Sequence, residues 1–599
     1  MVVLPHLLKL IHKKQEQRES VLLEADSNLA ATGAGQIGCK NSVLSKYHLL
    51  KVSQGLEADG WVSTRLKIES RSNLPATGQQ TMQTIGANRL GVAVHEHFPL
   101  ARGGYEAGWT VDGVTVRGFF SLARMVVLVG LLVALLAGSG CGRRQAETKQ
   151  PVASQPPHLT VAVLDDNRLA ETLRSYEGQW QAETGIRLEV LALSVQGQGL
   201  EKADVLIFRS AQLGQLAEPG WLLPLGEEKL RRHTSAWNDL VEMLRDHEGR
   251  WGEQIYAVPL GSPVLVCYCR VDLLDRLGLL PPRTWEEYIQ IAEQLGDRNR
   301  LADAGLPKNQ PWAPALEPLA AGWAGWTLLA RAASYTKHPN YYSTLFEMES
   351  MRPRIAEPPF VRALQELVAT ATLSGPEFWE MDPDQVRERF WRGECGLTLC
   401  WPSRAGPEKA APEIKCTVVP IPGASALWHP GERKWLPAPK GEPFRTPLLG
   451  ISGRWAALHA QCQHPEAALE LIFWLVGKQG TEPRPAVCPA TAVFRKSDLK
   501  DPQRLQAWVE LAMPRQTVQQ YAEALQATLS SSQWLVALRI PGWQEYMAAL
   551  DEAVRAAVRG QRSPQQALQE AAENWQQITR RLGLERQRQA YRRNLGLPD

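Results

Sequence analysis

Apolar positions divide the chain into three regimes. Residues 1–115 show no sustained helical or strand period, and their scattered Gly, Ser, Thr and His organise no core. Residues 126–137, VVLVGLLVALLA, are an unbroken apolar run. Past His158 short apolar strands alternate with helical stripes: LTVAVL at 159–164, a helical stretch from Leu169 to Trp180, IRLEVLAL at 186–193 and DVLIF at 204–208. That alternation predicts a parallel α/β sheet. Ligands of such sheets gather at the carboxyl ends of the strands, which puts Asp165, Asp166 and Asn167, and the turn at Phe208, Arg209 and Ser210, either at a site edge or among solvated loop positions.

Helix punctuation continues through the rest of the chain. Thr284 and Glu287 form a capping box before the stripe Tyr288, Ile291, Ala292 and Leu295, with Gly296 as its stop. Pro465 opens and Gly477 closes AALELIFWLV, and Ser563, Pro564 and Gln566 open a stripe that runs from Leu568 to Leu582. Aromatic residues on these stripes, Trp474 and Trp575 included, are expected in the core.

The apolar run is too short to span a bilayer, which takes about 20 residues of helix, and it ends in Gly138, Ser139, Gly140 and Cys141. It has the build of a secretory signal. A cysteine after small residues resembles the lipobox of bacterial lipoproteins, whose cysteine is acylated and becomes the mature N-terminus; Gly138 stands where that motif has Leu. The resemblance implies a lipid on Cys141. A signal of residues 116–141 belongs at a translation start, so residues 1–115 are expected to be non-domain sequence upstream of a start near Val116 or Met125. The alternative is a separate N-terminal domain. Residues 142–157, polar and Pro/Gln-bearing, read as a flexible tether.

Composition narrows the function. A formal charge of +3 from 66 basic and 63 acidic side chains carries no polyanion-binding signature, so nucleic acid is not an expected partner. Nine cysteines include no zinc or redox spacing, and Cys267 and Cys269 share a face if they lie on a strand. No metal, cofactor or committed disulfide follows. Neither a nucleophile elbow, an HExxH motif nor a P-loop is found. The 21 tryptophans suit a ligand with flat apolar faces.

Several segments in order resemble the extracellular solute-binding proteins of ABC importers, the family that includes bacterial maltose-binding protein. They are ADVLIF with EPGWLLPL at 218–225, the stretch from Tyr256 to Tyr288, ERFWRGECGLTLCWPS at 388–403, VVPIPG at 418–423, HPEAALELIFWL, and the stretch from Arg539 to Trp575. The resemblance covers residues 158–599. It implies the two-lobed type II periplasmic-binding fold, with lobe 1 at about 158–262 and 447–503, lobe 2 at about 265–446 and 504–599, and crossings near Ser262 to Leu265 and Pro447 to Gly450.

The same resemblance implies capture of a small solute by lobe closure and its delivery to a membrane permease by a monomeric, extracytoplasmic receptor. Trp401 falls where the family has a stacking Trp beyond an aliphatic strand, and Tyr546 near a second stacking position. Trp323 and Trp326 fall at a helix start turned to the cleft, although a spacing of three also suits core packing. Ser262 lies at the first crossing. Gly261 stands where maltose-binding protein has a carboxylate, so maltose itself is not implied. A sugar or oligosaccharide is the expected ligand, with a polyamine as the alternative. A secreted glycosidase would need two carboxylates about 5 to 9.5 Å apart, which spacing along the chain does not place.

Overall fold

The computed structural model describes residues 158–598 apart from 304, 307–308, 412–413, 440 and 478–491, together with the backbone of four short strands nearer the N-terminus. Cys141, the signal segment, the tether and Cys488 lie outside the described residues, as does most of 1–115. Among the described residues no helix is long and apolar enough to cross a membrane. Residues 1–143 form one unit and 144–599 another. In the first, Leu50–Leu56 pairs antiparallel with Val62–Ile68, and Thr110–Val111 with Val114–Thr115. The expectation of no strand period in 1–115 is corrected by these pairs. Val62, Thr64, Leu66 and Ile68 alternate with Ser63, Arg65 and Lys67, a period of two that favours a strand.

The second unit holds two principal sheets. Strands β1 (His158–Leu164), β2 (Arg187–Leu193) and β3 (Val205–Arg209) are parallel. To them are added β4 (Ala257–Gly261) and, from far along the chain, β9 (Arg454–Leu458), in the order β4-β9-β3-β1-β2. Because β9 runs antiparallel to both β3 and β4, the sheet is mixed, not purely parallel. The second sheet has the order β6-β7-β5-β8, from β5 (Val266–Arg270), β6 (Ala313–Leu316), β7 (Cys395–Cys400) and β8 (Cys416–Pro420). β6 and β7 are parallel, and β5 is antiparallel to both β7 and β8.

Helices cover these sheets and begin where the sequence caps them. The first predicted helix breaks at Ser175 and Tyr176 into α1 (Asn167–Arg174) and a second piece, Glu177–Thr184. The capping box of Thr284 and Glu287 opens α2 (Trp285–Gly296). Next come α3 (Ala324–Thr336), α4 (Pro358–Ser374) and α5 (Pro383–Trp391), then α6 (Pro465–Val476), which ends at Gly477. After α7 (Arg515–Leu529), which packs on β8, follow α8 (Trp543–Val558), α9 (Pro564–Leu582, opened by the Ser563 and Gln566 box) and α10 (Leu584–Asn594). Trp180, Trp285, Trp391, Trp455 and Trp575 are fully buried, so the core absorbs much of the tryptophan excess.

Register aligns the edges that matter. Arg209 pairs with Arg454, which pairs with Gly261, and Asp165 directly follows the neighbouring strand β1. One edge of the first sheet therefore carries Asp165, Arg209, Arg454 and Gly261. In the second sheet Val266 pairs with both Cys400 and Pro420, and Leu316 ends the strand parallel to β7. Residues 262–265 join Gly261 to Val266, so the two edges are neighbours.

Candidate functional site

At the first edge Asp165 takes a left-handed backbone, φ 53°, one of three such non-glycine residues among those described. Short polar side chains tolerate that geometry best. Its Oδ2 accepts from Gln212 Nε2 at 2.8 Å, and its backbone oxygen accepts from Arg209 Nη2 at 3.2 Å. Asp165 and Arg209 are both exposed. Asp166 differs. One of its oxygens caps α1 through Leu169 N at 3.0 Å, and the other takes Arg454 Nε at 2.7 Å in a buried ion pair. The expectation that Asp166 lines the site is corrected: helix capping and charge neutralisation occupy both oxygens.

Ser262 is likewise engaged inside. Its hydroxyl donates to Glu248 Oε2 at 2.7 Å, and Trp455 Nε1 donates to Oε1 at 3.1 Å. Ser262 is 2% exposed and offers nothing to a ligand in this arrangement. Burial pushes the Glu248 carboxyl above its usual 4.5, against the pull of Ser262, Ser210, Arg539 and Trp455. A carboxyl raised in the folded state stabilises fully below the unfolded value and loses that contribution as pH rises through the folded one. Glu248→Gln should therefore flatten the decline of stability with pH above 4.5. Glu317 and Asp551, raised in the same direction, stay in both proteins, so the difference between urea midpoints at acid and neutral pH isolates Glu248. Parallel curves would refute the assignment.

At the second edge Trp401 follows β7 and Trp323 precedes α3, with ring centroids 5.3 Å apart and planes tilted by 46°. Both rings are half-buried. Trp326, one helical turn on, is 7% exposed and packs on Trp543 at 6.2 Å, so the predicted pair divides into one accessible and one interior ring. Asp551 of α8 accepts from Gly322 N and Gly325 N at 3.1 Å each and thereby holds the turn that presents Trp323. Behind Trp401, Arg387 donates to its carbonyl at 3.2 Å. Glu510 accepts from Ser403 N at 3.0 Å, Trp391 Nε1 at 2.7 Å and Tyr268 Oη at 3.0 Å.

Tyr546 is in the core, and its placement as a stacking residue is corrected. It is 0% exposed, shares a hydrogen bond with Thr579 at 2.9 Å and meets Trp575 edge-on. Burial pushes its phenol up to about 12. Counting along α8 fixes its position, but the side facing α9 is the interior one. Gln212, Trp543, Glu510 and Asp551 did not stand out in the sequence; only Trp543, following Pro541 and Gly542 at a helix start, carries a local signal.

Cys267, Cys269, Cys395, Cys400, Cys416 and Cys462 are free thiols, and the sulfurs of Cys267 and Cys269, on one side of β5, are 3.7 Å apart. Burial pushes the Cys267, Cys400 and Cys416 thiols well up, which makes them inert. Among the described residues no group of His, Cys, Asp and Glu could hold a metal ion.

Residues 177–482 match the family described as bacterial extracellular solute-binding protein. The fold is similar to the sugar-binding protein MalE of the phytopathogen Xanthomonas citri, with TM-score 0.52 and 18% identity over 72% of this chain and 99% of that one. An ABC transporter solute-binding protein of Agrobacterium radiobacter in complex with ribitol gives 0.51 and 19% over 71% and 100%. The maltose-bound MalE3 of T. maritima gives 0.50 and 18% over 70% and 99%. At these identities the likeness speaks for the fold, two α/β lobes with a cleft between them.

Proposed function

The chain belongs to the bacterial extracellular solute-binding proteins, and from that premise we propose that it captures a sugar or sugar-like polyol for an ABC importer. Solute binding and an extracytoplasmic place are properties of the family; the ligand class is read from the site. The carrying observation is the half-buried pair Trp323 and Trp401, set at one sheet edge beside a second edge that bears Asp165 and Arg209. A pyranose presents apolar C–H faces for such rings and hydroxyls for a carboxylate and a guanidinium. The similar proteins with ribitol and maltose bound support the same class. Action by binding is what the family describes, and this reading assigns the chain that role.

A thermal-shift screen of the full chain against maltooligosaccharides, pentitols, hexitols and polyamines tests the ligand class. A ligand at 100 times its Kd stabilises by about 2.7 kcal/mol. Stabilisation by sugars or polyols is the expected result, and stabilisation by polyamines alone would replace the ligand class.

Cys141 supplies the membrane anchor on this reading, with lobe 1 and lobe 2 following the tether as a monomeric receptor. More than one acyl chain on a single residue is enough for stable anchoring. Cys141→Ser is expected to move the protein out of the membrane fraction without changing ligand affinity. Unchanged fractionation would place the anchor elsewhere.

A further inference from the structure

Beyond β8 the chain turns back as a hairpin, Ala426–His429 paired antiparallel with Lys434–Pro437, and a bridge between Ala424 and Phe444 closes its base. The hairpin packs on α3. Its Trp435 meets Tyr335 of α3 edge-on at 6.0 Å, and the Arg362 guanidinium of α4 lies over both rings, 4.7 Å from Tyr335 and 5.2 Å from Trp435. Near its tip, His429 is edge-on to His338, two residues past the end of α3, with ring centroids 4.7 Å apart. Tyr341 stands edge-on to both imidazoles, at 5.3 Å from His338 and 5.4 Å from His429. A Cβ on Gly431 would collide with the Tyr341 hydroxyl, so the tip is closely fitted.

The backbone holds both imidazoles in one protonation form. Asn340 N donates to His338 Nδ1 at 3.1 Å, and Glu432 N donates to His429 Nδ1 at 3.0 Å. A backbone amide can only donate, so each Nδ1 is bare and each neutral ring keeps its proton on Nε2. A second proton would have to enter at Nδ1. There it would face an N–H and break the bond that shapes the turn, and two charged rings at this spacing would repel each other.

The surrounding charges do not compensate. Glu432 faces the pair, with Oε1 3.7 Å from His429 Nε2, but Lys434 engages its other oxygen. Lys337 turns its ammonium to Tyr341 O at 3.4 Å and Tyr342 O at 3.1 Å, Arg362 is paired with Glu286 and Glu366, and Arg433 at the tip is exposed. One carboxylate that already has a partner cannot neutralise two imidazolium rings. His338 is 7% exposed, and burial, followed by the neighbouring His429, pulls its imidazole below the usual 6.5 against the pull of Glu432. A histidine lowered in the folded state stabilises fully above the unfolded value, and that contribution is lost as pH falls below 6.5 toward the folded one.

We propose that His338 and His429 form an acid-released latch: while both rings are neutral they fasten the tip of this hairpin to the exit of α3, and mild acid lets it go. The family is extracellular, so the pH that acts on the latch is that of the surroundings. Release bares the Tyr335 and Arg362 surface beneath Trp435, and the protein then presents a different face in acid.

Hydrogen exchange on the full, ligand-free chain tests this at about pH 8 and about pH 5, the range over which imidazole changes charge, with protection taken relative to the intrinsic rate at each pH. In acid the amides of the two hairpin strands should lose protection by roughly tenfold or more, since two backbone hydrogen bonds go together. Val161 and Val163 in β1 should keep theirs. His338→Asn combined with His429→Asn puts a side-chain oxygen acceptor in place of each Nδ1 and removes the titration. Hairpin protection in that double variant should not depend on pH. An acid loss of equal size in the double variant, no loss in the parent, or a loss spread evenly over the chain would overturn the latch. Should the double variant fail to fold, His429→Asn alone should shrink the acid loss, and a loss of undiminished size overturns the latch equally.

Discussion

Replacing Trp401 by alanine is expected to weaken sugar binding by roughly 30- to 150-fold, the equivalent of the 2 to 3 kcal/mol gained by burying such a ring against a ligand. The ring is half-buried beside Trp323, so part of its surface remains for a solute. Its carbonyl, held by Arg387, and the Ser403 amide, held by Glu510, are backbone anchors that survive truncation of the side chain. Unliganded stability should consequently change far less than affinity. Trp401→Phe should recover part of the binding. Calorimetric titration with the sugar from the thermal screen, alongside urea unfolding without it, reads both quantities. A stability loss above about 3 kcal/mol with unchanged affinity would show that Trp401 is a core residue.

Glu510→Ala should produce the largest loss of stability, about 3 kcal/mol or more, because three buried donors would lose their acceptor together. Tyr268, Trp391 and Ser403 are 0%, 1% and 3% exposed, so water cannot readily replace the carboxylate. Glu510→Gln keeps an acceptor and should cost less. Urea midpoints compare the three proteins, and a loss below about 1 kcal/mol for alanine would contradict the buried-network reading. Since the network holds the Ser403 amide two residues past Trp401, binding should also weaken in the folded fraction of the alanine variant.

What could be read in the sequence was local. Strands at 159–164 and 204–208, and the caps at Thr284 and Ser563, depend on neighbours a few residues away, and each forms. β9 joins β3 across some 250 residues, so the antiparallel half of the first sheet left no mark in the pattern of either strand. The alternation at Val62 to Ile68 was visible and is easily missed among polar neighbours. At the site, Trp401 was singled out through the family resemblance, which puts a stacking Trp just beyond an aliphatic strand. Tyr546 misleads because position along a helix does not reveal which side packs. Asp166 fits equally well as a cap or as a ligand contact, and only Arg454, 288 residues away, decides. Arg539 and Glu248 are separated by 291 residues and carry no signature in either segment.

The short connection from Gly261 to Val266 also limits how the receptor can open. Five peptide steps reach about 17 Å when fully drawn out, which tethers the two sheet edges on that side however far they part elsewhere. Opening is thus a swing, like a cover about its spine, and not a withdrawal of one half from the other. A solute must enter from the side opposite the spine, and the gap there widens with distance from it. On the capture reading, a solute longer than the cleft would be held by one end with the remainder outside the mouth, and a shorter one would lie within it. Chain length should then alter how far the mouth can shut more than how well the first ring is held.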